Sequence, residues 1–354
     1  MIWYYAVYCL VSLGLPTCLV DDRNWRRVVQ QFYFLCTVPT LILFSGLRSS
    51  AIDRDYANYH AWFDWVASGS LVGSDWRKDP AFVLVSYVVA HLGWAYAAVA
   101  LIYATCAMLA QLEVSKQVSG GRWLTLYFYL VICRTFIPEN MTAVRASVAI
   151  PLMSVSFVLA ARGEKRRALI LYLIALCFHL SALIGLPVLV LALLNVQILS
   201  RWWIISLAPV AICVKISLWK VLTLLSGMDR VSHYIHGDYS TKGISLLSVY
   251  FIVRVLALLI IFSFYWRKLS KEQRLATMAS SIGVFIQIVL SSNDALALRG
   301  AEVFVFFDLY IFMIPLDHLK GIRRVLYMAG LVLLGLVFFR SSLKTIEPYH
   351  WSLT

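Results

Sequence analysis

The feature that most constrains the fold of this chain is a series of apolar stretches, each roughly twenty residues long, that recurs from one end to the other. A helix of about 20 apolar residues is long enough to cross the hydrocarbon core of a bilayer. Hydrophobic residues make up 61% of the chain and charged residues 14%, whereas a soluble domain carries about 25% charged residues. A membrane β-barrel would show short stretches of alternating polarity instead. The pattern therefore predicts an all-α integral membrane protein, a polytopic bundle of helices.

Dividing these stretches by length predicts about twelve crossings in a single membrane domain, residues 1–354. We predict one long span over residues 81–109. The stretch 168–199 is too long for one simple helix, so we divide it into a hairpin with His179 near the bend.

The basic loops of this arrangement all fall on one side of the membrane and together hold 17 Lys and Arg residues. They are residues 21–27, 111–122, 162–167, 267–274 and 317–324, and Arg201. Because Lys and Arg are enriched in cytoplasmic loops, this side is predicted to be cytoplasmic. The other face then carries the loops 47–80, 134–145, 226–243 and 291–300.

The net charge of +13 fits this topology, since basic loops lie beside anionic lipid headgroups. No ordered basic and aromatic groove is evident, so nucleic acid is not an expected partner. The seven cysteines lie in or beside apolar stretches without a CxxC pair. They are typical of small buried residues and not of a disulfide or metal framework.

Six arginines fall on the predicted outer face, against the orientation rule. They are Arg48, Arg54, Arg134, Arg145, Arg230 and Arg299. The planar guanidinium can bind a phosphate or pyrophosphate through two hydrogen bonds. The alternative is that each arginine pairs with a nearby carboxylate, such as Asp53, Asp55 or Glu139.

The segment 45–63 holds four charged residues within eight positions, followed closely by Tyr56, Tyr59 and Trp62. Charges and aromatic residues gathered between two spans favour a binding site. A solvated loop with interfacial aromatic residues is the alternative, because Trp and Tyr are enriched at membrane interfaces.

Four segments resemble, in the same order, motifs of the EpsG-type, Wzy-like polysaccharide polymerases. SGLRSSAIDRDYANY (45–59) is similar to the Arg…Gly-Thr-Asp-Tyr…Tyr motif of their first long loop, with Asp53 and Arg54 in place of Gly-Thr. TAVRASVAIPL (142–152) is similar to an Ile-Arg-Gln motif, with Ala146 in place of Gln. Residues 162–189 resemble the family's basic loop followed by Phe-His, and residues 299–316 resemble its late Arg before an aromatic span.

The resemblance implies a GT-C-like glycosyltransferase in the bacterial inner membrane, with its active site facing the periplasm or exterior. It would join O-antigen, capsule or exopolysaccharide repeat units carried on undecaprenyl pyrophosphate. Its partners would be the lipid-linked donor and acceptor oligosaccharides, membrane lipid, a chain-length regulator and a flippase. No cofactor is required, because the lipid linkage already activates the donor.

The candidate catalytic residues are Asp55 and His179, either of which could accept the proton of the acceptor hydroxyl. Asp55 is the preferred base, because its family-like loop also holds Arg48 and the aromatic residues. The candidate substrate-binding residues are Arg48, Tyr56, Tyr59, Arg134, Arg145 and Arg299. The alternatives remain open at this point. Asp55 could pair with its neighbour Arg54, His179 could be a hydrogen-bonded core residue, and Arg145 could extend to the interface. We predict no metal site, since the pair His233 and His236 lacks a third ligand and the spacing of Asp53 and Asp55 often arises by chance.

Two other functions also fit many of these features. A polyisoprenoid-linked sugar transporter or flippase would have as many spans, but the two halves of the chain show no repeat. Another outer-face GT-C glycosyltransferase, using a monosaccharide-phosphate lipid, would share nearly every feature and differ only in substrate.

Overall fold

A computed structural model describes residues 1–50, 52, 55–69, 79–194, 210–215 and 248–349. Within these residues the chain forms helices and turns with no β-strand ladder, which confirms the all-α class. Asp53, Arg54, Arg201, Arg230, His233, His236 and the predicted loop 226–243 lie outside them. The helices are α1 (Ile2–Ser12), α2 (Arg23–Gly46), α3 (Tyr56–Ala67), α4 (Pro80–His91), α5 (Tyr96–Ser119), α6 (Leu124–Thr135), α7 (Ala146–Ala161), α8 (Lys165–Phe178), α9 (Leu186–Leu193), α10 (Val249–Ile260), α11 (Lys271–Val289), α12 (Asp294–Glu302), α13 (Val305–His318) and α14 (Gly321–Ser342).

Five helical stretches in the described part are long and apolar enough to cross a membrane. They are Ile2–Leu19, Arg23–Gly46, Tyr96–Ser119, Val249–Lys268 and Gly321–Ser342. Three shorter apolar helical stretches accompany them: Pro80–His91, Ala146–Ala161 and Leu180–Leu193. The chain is therefore a multi-pass membrane protein, and the total of twelve crossings stays a prediction.

The chain divides into two compact units. The first comprises Met1–Ser156, Ala168–Ala182 and His318–Thr354, and the second comprises Phe157–Arg167 and Leu183–Asp317.

The first unit is built on α2 and α5, each 24 residues long and therefore about 36 Å from end to end. Asp22 starts α2 by accepting a hydrogen bond from the backbone N–H of Trp25 at 2.6 Å, the usual N-cap arrangement. At the other end of α2, a Cβ on Gly46 would lie 2.9 Å from the backbone of Leu101 in α5. A glycine there permits the two backbones to approach this closely.

The predicted single span 81–109 is wrong, because the chain turns between α4 and α5. Gly93 has φ of +70°, and the N–H groups of Gly93 and Trp94 donate to the carbonyls of Ala90 and Val89. This is the hydrogen-bond pattern of a Schellman motif, which ends a helix at a residue in the left-handed region. Helix α4 has 12 residues, about 18 Å, and is too short to cross a bilayer alone.

The segment 47–80, predicted as an outer loop, contains α3. The buried face of this helix carries Tyr56, Tyr59 and Phe63, which join Phe82 of α4 and Tyr103 of α5 in one apolar cluster. Aromatic rings that bury large areas dominate this packing. The packing of the three helices therefore fixes the positions of the buried rings of Tyr56, Tyr59 and Phe63.

The expected break in the stretch 168–199 does occur at His179. Helix α8 ends at Phe178, a short 3₁₀ segment covers Leu180–Gly185, and α9 begins at Leu186. The backbone N–H of His179 still donates to the carbonyl of Ala175 at 3.0 Å. His179 therefore lies at the exit of the helix, with its ring beyond the last helical turn.

The second unit has a fully buried ion pair between α10 and α13. Arg254 Nε lies 2.7 Å from Asp308 Oδ1, and both side chains are at most 1% exposed. Asp308 also accepts hydrogen bonds from Ser280 at 2.6 Å and Tyr250 at 2.9 Å. A Cβ on Gly283 would overlap the Arg254 guanidinium, so the glycine makes the space for it. Charges inside an apolar span are tolerated because the protein itself supplies their partners.

Contacts within each unit agree with the predicted grouping of the basic loops. The predicted loop 111–122 is wrong over residues 111–119, which form the last turns of α5. In the first unit, Arg122 beyond these turns lies 3.0 Å from Asp21, which joins the ends of the predicted basic segments 111–122 and 21–27. In the second unit, Arg162 lies 3.5 Å from Glu272, which joins 162–167 and 267–274. Which side of the membrane these loops face stays a prediction.

Candidate active site

The centre of the candidate site is Arg145, which precedes the first residue of α7. Its guanidinium pairs with the carboxylate of Asp79, and the Arg145 side chain as a whole is 22% exposed. The guanidinium carbon lies 5.1 Å from the ring centroid of Tyr59 and 5.0 Å from that of Trp62. Cation–π contacts at this distance and a carboxylate partner hold the planar group in one orientation.

Asp79 links Arg145 to His179. Its Oδ2 bonds the guanidinium, and its Oδ1 lies 3.3 Å from Nδ1 of His179. The Asp79 side chain is 6% exposed and the His179 ring is 30% exposed. One buried carboxylate therefore serves a guanidinium and an imidazole that solvent or a ligand can reach.

Local structure explains why Asp79 lies there. It occupies the N-cap of α4, immediately before Pro80 at the first helical position, where proline is favoured because its missing N–H would be unpaired anyway. The carbonyl of Asp79 accepts from the backbone N–H of Phe82 at 3.0 Å. The start of an apolar helix thus fixes the backbone from which the carboxylate extends.

Aromatic side chains pack beside the group formed by Arg145, Asp79 and His179. Trp62 and Phe82 have ring centroids 4.7 Å apart, and Tyr103 lies 5.8 Å from Phe82 and 5.5 Å from Phe178. Within the described residues, the buried hydroxyl of Tyr103 has no hydrogen-bond partner. An unpaired buried hydroxyl costs about 1–3 kcal/mol, so Tyr103 is a candidate to donate to a ligand.

Arg48 and Tyr56 form a separate contact near the other end of α3's buried face. Arg48 is 1% exposed, donates to the carbonyl of Ser45 at 2.6 Å, and has its guanidinium carbon 5.7 Å from the Tyr56 ring. Tyr56 in turn packs edge-on against Tyr96, with centroids 5.0 Å apart. A ligand can reach Arg48 only if the residues that cover it move.

The remaining predicted residues are placed as follows. Asp55 is the N-cap residue of α3, and Arg134 lies half-buried in the last turn of α6. Arg299 is exposed on α12, in the second compact unit. The structure therefore brings together Tyr59, Arg145 and His179, and pairs Arg48 with Tyr56.

Sequence reasoning missed Asp79 and Tyr103 as site residues, and it noted Trp62 only as one of the aromatic residues of the segment 45–63. A signal for Asp79 exists: an Asp directly before Pro at the start of an apolar stretch is typical of a helix N-terminus. Nothing in the sequence indicates that this carboxylate meets residues 66 and 100 positions away.

The chemistry available to this arrangement follows from its hydrogen bonds. An imidazole that donates its Nδ1 proton to a carboxylate carries its basic lone pair on Nε2. A guanidinium is suited to phosphate oxygens, and Tyr and Trp faces are suited to the apolar face of a sugar ring. In the described parts of the chain, no three His, Cys, Asp or Glu residues are grouped closely enough to hold a metal ion.

The fold and the cluster together define a multi-pass α-helical membrane protein with a partly buried Arg–Asp–His site. The chain belongs to the EpsG family, whose model matches residues 31–351. This family comprises Wzy-like polysaccharide polymerases, so the chain falls among membrane glycosyltransferases of polysaccharide biosynthesis. The match covers nearly the whole chain and confirms the resemblance seen in the sequence. No curated protein and no solved structure matches the chain.

Proposed function

We propose that this protein polymerises oligosaccharide repeat units carried on undecaprenyl pyrophosphate, at the outer face of the bacterial inner membrane. The observation that carries the proposal is the single carboxylate of Asp79 shared by Arg145 and His179, beside the rings of Tyr59 and Trp62. This arrangement supports the proposal, because Arg145 could bind a phosphate and His179 could accept a proton in one partly accessible site.

In this reaction the growing chain leaves its lipid pyrophosphate and joins a hydroxyl of the next lipid-linked repeat unit. The bond from the anomeric carbon to the pyrophosphate oxygen breaks, and the electron pair stays with the pyrophosphate. Arg145 would stabilise this charge, since a preorganised cation lowers the energy of a transition state in which charge develops. Arg48, Arg134 and Arg299 remain proposed substrate-binding residues that would act in further contacts with the lipid-linked substrates.

The acceptor hydroxyl must lose a proton as its oxygen attacks the anomeric carbon. We assign this proton to Nε2 of His179, with Asp79 orienting the ring and stabilising the resulting imidazolium. The geometry supports His179 over Asp55, because His179 shares a carboxylate with Arg145. Asp55 is the other candidate base and is tested beside it below.

The aromatic side chains would bind the acceptor sugar. Tyr59 and Trp62 offer ring faces next to Arg145, and Tyr103 offers a buried hydroxyl. Tyr56, one helical turn before Tyr59, extends the same surface. Stacking on rings and a few placed hydrogen bonds are the usual features of a specific small-ligand site.

The proposed location rests on the length of α5. Its first residue, Tyr96, packs against Tyr56 of α3, and its last residues precede Gly121, whose carbonyl accepts from Gln30 at 3.1 Å. Arg122, which follows the last turn of α5, is therefore at the opposite end of a helix about 36 Å long. If the basic end is cytoplasmic, the candidate site opens toward the periplasm. A GT-C-like architecture with twelve crossings is part of this proposal.

Deletion of the gene, followed by gel analysis of surface polysaccharide, tests the function. Loss of a polymerase leaves single capped repeat units in place of a ladder of long chains. Loss of a flippase removes both species, and loss of a glycosyltransferase that adds one sugar leaves a ladder of altered composition. Either of the last two outcomes would overturn the proposal. Synthesis of polymer by the purified protein from synthetic lipid-linked repeat units would establish that the chain itself is the catalyst.

A further inference from the structure

A cavity of about 220 Å³ lies at the other end of the first compact unit, beside the basic loops. Its lining is formed by the end of the first span, the start of α6 and the start of α14. The lining residues are Cys18, Leu19, Arg122, Trp123, Gly321, Arg324, Val325 and Met328. None of them belongs to the candidate active site, and the polymerase reaction does not use them.

The polar part of the cavity is cationic. The guanidinium carbons of Arg122 and Arg324 lie 5.6 Å and 5.9 Å from the ring centroid of Trp123. Arg122 is already engaged, with the carbonyl of Cys18 at 2.8 Å and the carboxylate of Asp21 at 3.0 Å. Two guanidinium groups at one indole ring against one carboxylate leave a net positive charge.

Arg324 supplies the unused hydrogen-bonding capacity. Its Nε donates to the carbonyl of Leu319 at 2.7 Å, which orients the planar group. In the part of the chain that the structure describes, its two terminal nitrogens have no hydrogen-bond or ion-pair partner. These nitrogens form the side of the guanidinium fork that binds a phosphate through two parallel bonds.

The other part of the cavity is apolar. Leu19 is 59% exposed and Val325 is 48% exposed, at the end of one candidate span and the start of another. In a membrane-spanning helix, apolar side chains of this exposure face lipid. A free phosphate ion would gain nothing from them, whereas a phospholipid would place its headgroup at the arginines and its glycerol and first acyl carbons along Val325 and Met328.

We propose that this cavity binds an anionic phospholipid of the leaflet next to the basic loops, with the headgroup phosphate held by Arg324 and Arg122. Anionic lipids are enriched in the cytoplasmic leaflet, where they attract juxtamembrane basic residues. The basic loops beside the cavity are the ones predicted to be cytoplasmic. A lipid bound there would fix the start of α14 against the start of α6.

Native mass spectrometry of the purified full-length protein in detergent tests this site. Dioleoyl-phosphatidylglycerol is titrated against wild type and Arg324→Gln, with dioleoyl-phosphatidylcholine as the neutral lipid and inorganic phosphate as the competitor. Arg323→Gln is the matched control, because Arg323 is exposed on the same turn and does not line the cavity. A third variant, Met328→Trp, fills the apolar part without changing the charge.

Loss of charge-assisted hydrogen bonds in Arg324→Gln should weaken phosphatidylglycerol binding at least about tenfold. The general charge effect in Arg323→Gln should not exceed about fivefold. Met328→Trp should also weaken binding, and phosphatidylcholine should bind less well to wild type. If both arginine variants lose the same phosphatidylglycerol affinity, general surface charge explains the binding and the proposal is overturned. Displacement of the lipid by millimolar phosphate would also overturn the proposal, because it would show that the cavity binds a free anion. A changed retention time on size exclusion identifies a variant that has misfolded. If one of Arg324→Gln and Met328→Trp misfolds, the lipid affinity of the other tests the proposal.

Discussion

Asp79 and His179 lie 100 positions apart in the chain, yet a carboxylate oxygen of the first is 3.3 Å from Nδ1 of the second. The same carboxylate pairs with Arg145. His179 at the end of α8 and Arg145 before α7 thus share the buried carboxylate of Asp79, which precedes α4. The roles of all three side chains can be separated by substitution.

His179→Ala and Asp55→Asn distinguish the two candidate bases. Loss of a general base costs about 10²–10⁴-fold in rate, so His179→Ala should lose this much turnover with synthetic lipid-linked repeat units while still binding them. Asp55→Asn should lose less than tenfold. Near-normal turnover of His179→Ala together with an inactive Asp55→Asn would move the assignment to Asp55.

Asp79→Asn should reduce kcat at least about 100-fold, because the amide keeps the shape of the side chain but loses the charge that orients and stabilises the imidazole. KM for the donor should not rise, since removal of an anion leaves Arg145 more available to the pyrophosphate. Steady-state kinetics on purified protein measure both constants. The matched control is Asp64→Asn, because Asp64 is an exposed carboxylate 3.0 Å from His60 on α3. A purely structural Asp79 would lower protein yield and leave kcat of the surviving protein unchanged.

Arg145→Ala should abolish polymer in cells without lowering the amount of protein in the membrane. Arg145→Lys should restore little, because an ammonium keeps the charge but loses the two-pronged geometry and the flat contact with Tyr59 and Trp62. Gel analysis of surface polysaccharide beside an immunoblot measures both quantities, and Arg166→Ala in the exposed basic loop serves as control. Long chains from Arg145→Ala cells would exclude the proposed role.

Arg254→Ala and Asp308→Ala should each destabilise the second unit by about 3–5 kcal/mol, since either change leaves an uncompensated charge inside a span. Replacing both residues by apolar ones, as in Arg254→Met with Asp308→Leu, should cost less than the sum of the single changes. Thermal unfolding in detergent, followed by the loss of the size-exclusion peak, measures these effects. Arg267→Ala, at an exposed position after α10, should leave the transition unchanged. Additive losses in the double variant would show that the pair is not coupled.

Cysteine labelling tests the orientation of the chain. In a cysteine-free background, Asp64→Cys on α3 should react with a membrane-impermeant maleimide added to intact cells, because the candidate site is predicted to face outward. Lys165→Cys in the basic loop 162–167 should react only after permeabilisation. Labelling of position 165 from outside would invert the topology, and with it the outer location of the site.

The sequence predicted those parts of the structure that depend on local patterns. Apolar stretches of membrane length gave the fold class, and the break at His179 followed from a stretch too long for one helix. It missed the turn at Gly93, because the residues on either side are as apolar as the spans and only the glycine carries the signal. The sequence also indicated Tyr59, Arg145 and His179 as candidate site residues; the structure places them together, and their roles stay predictions.

Pairings between distant residues could not be predicted. Arg145 was compared with nearby carboxylates such as Glu139, but its partner is Asp79, 66 positions earlier. Arg254 and Asp308 each lie inside an apolar stretch, and they form an ion pair between α10 and α13. A single sequence contains the residue types of such pairs but not the packing that brings them together.

The shared carboxylate also sets the electrical balance of the resting site. With a neutral imidazole, one guanidinium and one carboxylate cancel, so the site tolerates its half-buried position without a counterion. In the proposed reaction an arriving pyrophosphate would disturb this balance, because it would compete with Asp79 for the same guanidinium. Asp79 could then turn wholly to His179 and hold the imidazole in one orientation while the acceptor hydroxyl loses its proton. Binding of the donor would in this way orient the imidazole that receives the acceptor's proton. One carboxylate would therefore couple donor binding to activation of the acceptor.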